Sequence, residues 1–86
     1  MYYAQVRLGV RVIRKDFDDI EDARRYVLWW CRKFPRSKFT PSIGENGKLL
    51  EYVMRIDDDI ISAGMDHSYR NINRDGTLSK KMALSL

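Results

Sequence analysis

Asp18-Asp19-Ile20-Glu21-Asp22-Ala23-Arg24-Arg25-Tyr26-Val27-Leu28-Trp29-Trp30-Cys31-Arg32-Lys33-Phe34-Pro35 is the stretch on which the fold turns. Ile20, Ala23, Val27, Trp30, Cys31 and Phe34 recur at steps of three and four, which makes one apolar stripe along a helix. Asp18 and Asp19 offer a carboxylate to cap free backbone N–H groups, and the acids that follow suit the positive end of the helix dipole. Arg32 and Lys33 suit the negative end, and Pro35 closes the helix after Phe34. The acidic block is thereby explained as helix chemistry rather than as a catalytic cluster.

Before this helix the pattern changes to period two. Tyr2, Ala4, Val6, Leu8, Val10 and Val12 fall on one face, and Tyr3, Gln5, Arg7, Gly9 and Arg11 on the other. A half-buried strand from Tyr2 to Arg14 is expected, with Gly9 as a bend or bulge. After the helix an extended piece from about Lys38 to Ile43 meets Gly44-Glu45-Asn46-Gly47, a hairpin signal. The second hairpin strand alternates Leu50, Tyr52, Met54 and Ile56 with Leu49, Glu51, Val53 and Arg55, so one face is wholly apolar and the other mixed. Asp57-Asp58-Asp59 ends it, and Ile60-Ile61-Ser62-Ala63 reads as a helical turn stopped by Gly64. Residues 68–73 and 77–84 flank Arg74-Asp75-Gly76, which suits a further hairpin.

The expected fold class is α+β: a small antiparallel sheet with one long helix on one face, in the order β-α-β-β plus a C-terminal hairpin. Eighty-six residues form one domain, 1–86, within which residues 66–86 are read either as a peripheral hairpin or as a partly ordered tail. One cysteine, Cys31, rules out an intrachain disulfide framework and points to a reducing, cytoplasmic setting. No run approaches the roughly 20 apolar residues of a membrane helix, and the N-terminal residues carry no export signal.

The net charge of +4 is distributed in blocks of one sign: basic over residues 1–15, acidic over 16–22, basic again over 23–38. Advancing 100° per residue places Trp29 opposite the apolar stripe, on the solvent side, with Arg25, Arg32 and Lys33 beside it and Tyr26 at the edge of that face. An exposed tryptophan among cations is the composition of an interface hot spot, and also of a surface on which bases stack. The plain alternatives are that the C-terminal segment folds over Trp29, or that Arg25 and Lys33 shield it by cation–π contact. A second basic set comprises Arg7 and Arg11, read as about 14 Å apart on one strand face, with Arg14, Lys15, Arg36 and Lys38. That spacing suits phosphates, and equally a solvated strand face.

Asp57, Asp58, Asp59, Asp66 and His67 match no metal-ligand spacing, and Cys31 reads as a core residue rather than a nucleophile. No cofactor, metal or catalytic residue is expected. The leading functional expectation is a small non-catalytic interaction protein, regulatory or inhibitor-like, docking on a protein partner through the Trp29 face. A nucleic-acid binder and an anionic-nucleotide pocket between protomers are the alternatives, the latter with Trp29 or Tyr26 stacked on a base. Edge pairing of the long first strand with its copy would give a homodimer.

Overall fold

The computed structural model describes residues 1–36 and 39–83. The elements are β1 (Tyr2–Leu8), β2 (Arg11–Phe17), α1 (Ile20–Lys33), β3 (Ser42–Glu45), β4 (Lys48–Ile56), β5 (Asp59–Gly64), β6 (Tyr69–Ile72) and β7 (Leu78–Met82). All seven strands join one antiparallel sheet in the order β2-β1-β3-β4-β5-β6-β7, and α1 packs on one face of it against β1, β2 and β3. The α+β class stands, but the order is β-β-α followed by five strands rather than β-α-β-β.

The first difference lies in the stretch from Tyr2 to Arg14, which is a hairpin and not one strand. Gly9 at φ 63° takes the first position of a two-residue turn with Val10, a conformation that costs glycine nothing and lets the chain reverse. Alternation measured along the chain does not survive that reversal, because a two-residue turn places Leu8 and Arg11 opposite each other on the same face. Arg7 pairs with Val12 and faces away from the helix, whereas Arg11 shares the helix-side face of Ala4 and Val6. The two arginines therefore do not form one patch. The reversal also moves the sheet edge: β1 lies inside, between β2 and β3, so the first strand cannot pair edge to edge with a copy. The edges are β2 and β7, studded with Arg11, Arg14, Lys15, Lys80 and Lys81, charges that discourage strand addition.

A second difference concerns residues 60–63, which belong to strand β5 and not to a helical turn. Asp57 adopts φ 55°, a conformation aspartate tolerates, and this turns β4 directly into β5. Between the helix and β4 the strand is shorter than expected: β3 begins at Ser42, and Lys38, the start of the expected extended piece, lies outside the described residues. Asn46 and Gly47, both at positive φ, form the expected tight turn into β4.

The helix runs close to its expected bounds, but its buried side is rotated. Ala23, Arg24, Val27, Leu28 and Cys31 are buried, while Phe34 is exposed and Trp30 is only partly covered. Ala23, Val27, Leu28 and Cys31 meet Ala4, Ile43, Val53 and Ile72 from the sheet to form the core. Burying each of the larger aliphatic chains contributes about 1.5–3 kcal/mol.

Arg24 is inside because β4 turns its mixed face, not its apolar one, toward the helix. Glu51 (4% exposed) receives a hydrogen bond at 2.7 Å from Arg24 Nε (residue 9% exposed) and another from the Ser62 hydroxyl. Arg24 Nη1 also donates to the Gly76 carbonyl at 3.1 Å. Helix, sheet and the β6–β7 turn are thus tied at one buried, hydrogen-bonded ion pair. The apolar β4 side chains Tyr52 (47% exposed) and Met54 lie on the sheet face that the helix does not cover.

Candidate functional site

Trp29 is 49% exposed on the outer side of α1, as the helical projection expected. Rotation of the buried side toward Arg24 and Leu28 leaves residues 25, 29, 32 and 33 outside the core, on consecutive turns of one helix face. Together with Leu28 and Arg74 they line a cleft of about 570 Å³. The side chains converge because i, i+3 and i+4 positions stand one above another.

Trp29 is held in position. Trp30 and Trp29 form a T-shaped pair with centroids 5.3 Å apart, and Lys33 Nζ lies 4.8 Å from the Trp29 ring centroid. Arg25 pairs with Asp22 one turn earlier and donates to the Asp75 carbonyl at 2.8 Å. Arg32 and Arg74 are exposed, and neither has a carboxylate within ion-pair distance among the described residues.

Arg74 was not anticipated. Its turn is legible as Asp75-Gly76, yet its position over the helix follows from the close packing of Gly76 on the Glu21 carbonyl, where a Cβ would overlap backbone. Of the shielding alternatives, Lys33 lies over the Trp29 ring whereas Arg25 is engaged by Asp22 and the Asp75 carbonyl; the C-terminal turn hydrogen-bonds Arg24 and Arg25, and half of Trp29 stays open.

Tyr26 is not brought into this cleft. It packs on Phe17 (centroids 5.5 Å) and edge-on to Trp30 (6.4 Å), with Lys15 Nζ 5.4 Å from its ring centroid. Arg14 lies 4.0 Å from the Tyr3 ring centroid on the sheet face away from the helix, with Asp16 at 3.9 Å. Arg36 borders a separate cleft near Phe39 and Pro41, and Lys38 lies outside the described residues. The second basic set is therefore scattered over several surfaces.

Asp66 accepts hydrogen bonds from the Ser68 hydroxyl and N–H, which hold its carboxyl below the usual range. Asp75 is held low in the same way by Thr77. Both are turn-building aspartates. Burial raises the Cys31 thiol, with Arg55 opposing it, so this sulfur is a packed, protonated core group. Among the described residues no group of three ligating side chains could hold a metal ion. Among the described residues no helix is long and apolar enough to cross a membrane. Neither protein-family models, nor curated proteins, nor solved structures give a match to this chain.

Proposed function

We propose that this is a small non-catalytic interaction protein, regulatory or inhibitor-like, that docks on a protein partner by receiving an acidic segment in the Trp29 cleft. One observation carries the reading: a half-exposed, positioned tryptophan stands among Arg25, Arg32, Lys33 and Arg74, of which Arg32, Lys33 and Arg74 have no carboxylate within ion-pair distance among the described residues. Such a site supplies a flat apolar anchor with cations at its rim, the composition of interface hot spots. A free, buried Cys31 fits a reducing, cytoplasmic setting.

A nucleic-acid strand is the second reading, favoured by the same cations. Two features weigh against it. Lys33 already lies over the Trp29 ring, where bases would stack. Arg7, Arg11, Arg14 and Arg36 lie on different surfaces, so they do not join the Trp29 cations in one continuous basic track.

Tryptophan fluorescence tests these readings. An acidic peptide is expected to shift the emission of wild type and not of Trp29→Ala, with modest salt dependence. A response confined to an oligonucleotide or a nucleotide, collapsing steeply with salt, would replace the protein-docking reading.

A further inference from the structure

The Trp29 cleft does not end at its basic residues. It shares Leu28, Arg32 and Arg74 with a larger cleft of about 740 Å³, which runs to the β4–β5 turn and is walled there by Asp57, Asp58 and Asp59. All three aspartates are exposed at a hairpin tip, and none has a basic group within ion-pair distance among the described residues. Arg55, beside them, spends its guanidinium on the carbonyls of Cys31 and Pro35. One surface therefore carries a basic and aromatic part next to an acidic part at a hairpin tip, with three charges on each that are unpaired among the described residues: Arg32, Lys33 and Arg74 against Asp57, Asp58 and Asp59.

We propose that the acidic segment taken by the Trp29 cleft is the Asp57–Asp59 turn of a second copy of this chain, in a reciprocal two-fold dimer. This rests on the docking reading above and names its partner. In a two-fold interface each surface meets itself, so a residue i touching j implies that j touches i. A surface with adjacent parts of opposite charge satisfies that condition: each copy presents one tip and receives one. A uniform polyanion would gain at Trp29 and be repelled by the aspartates beside it, whereas a second copy presents opposite charge to both halves.

The test is the solution mass by sedimentation equilibrium from micromolar to millimolar chain concentration, for wild type and two charge-reversed variants. One is Asp58→Lys/Asp59→Lys, with Asp57 left in place because its positive φ tolerates aspartate better than lysine. The other is Arg32→Glu/Arg74→Glu. Wild type is expected to dimerise, and each variant alone to dimerise at least about ten-fold more weakly. The shape-conserving Asp58→Asn/Asp59→Asn must also weaken the dimer. Mixing the two reversed variants is expected to restore a dimer containing one of each, because both tip-to-cleft contacts then join opposite charges. Variants that dimerise as well as wild type, or a mixture that stays monomeric, would overturn the proposal. A wild type that remains monomeric while an acidic peptide still shifts Trp29 emission would overturn self-docking and leave the docking reading standing. Monomer together with no peptide response would overturn both.

Discussion

Replacing Glu51 with leucine should be among the most damaging single changes to this domain, although it adds an apolar side chain to an apolar neighbourhood. The carboxylate is almost wholly buried and is bound by Arg24 Nε at 2.7 Å and by the Ser62 hydroxyl. Without it, the Arg24 guanidinium remains buried with the Gly76 carbonyl as its hydrogen-bond partner. An uncompensated buried charge of this kind costs about 3–5 kcal/mol, and the orphaned Ser62 hydroxyl adds about 1 kcal/mol. At about 0.05–0.15 kcal/mol per residue, a chain of this length has about 4–13 kcal/mol in total, so the variant should be marginal or unfolded. For a domain of this size, 1 kcal/mol shifts Tm by about 4–8 °C, which sets the expected fall at more than about 12 °C. Urea unfolding and thermal melts of Glu51→Leu, Arg24→Met and the double variant measure the coupling. The double variant should recover about 1–4 kcal/mol relative to Glu51→Leu, because removing both charges removes the orphan. A loss below about 1 kcal/mol for Glu51→Leu, or a double variant whose cost equals the sum of the singles, would refute the role assigned to the pair.

Other expected outcomes follow from single contacts. Gly9→Ala meets open space and should cost only the positive-φ penalty of about 1–2 kcal/mol, whereas Gly76→Ala adds overlap with the Glu21 carbonyl and should cost at least about 1 kcal/mol more in urea unfolding. Trp29→Ala should change stability by less than Leu28→Ala, whose side chain is 2% exposed and whose truncation should cost about 2–5 kcal/mol. Asp75 has a folded-state pKa below its unfolded value near 3.9, so its contribution is present above that pH and is lost as pH falls through the folded value; Thr77→Val should raise the Asp75 pKa in an NMR titration, and its stability difference from wild type should shrink under acid. Cys31 should alkylate slowly at neutral pH, and Arg55→Met should raise its thiol pKa further, as read from the pH dependence of the alkylation rate in the folded protein.

The helix, its approximate ends and the outward position of Trp29 were legible in residues 18–35, because helical periodicity and the charges of the first and last turns act within a few residues of one another, although the N-cap Asp19 makes no side-chain capping hydrogen bond. The turns at Asn46-Gly47 and Asp75-Gly76 were legible for the same reason: their conformational preference belongs to the residues themselves. Gly9 was misread because a glycine within an alternating run is compatible with either a bend or a reversal, and only the register with β2 shows that Arg7 and Arg11 part company. Period two in β4 divided its residues into two faces without saying which one the helix covers. That choice came from the pairing of Arg24 with Glu51 across 27 positions of chain. Arg74 reached the Trp29 cleft by an equally distant contact, Gly76 on the helix start. Local backbone chemistry, readable in the sequence by itself, thus determined the helix and the tight turns. Which faces became core, and which charges became neighbours, was decided by the tertiary structure, because those outcomes depend on contacts between residues far apart in the chain.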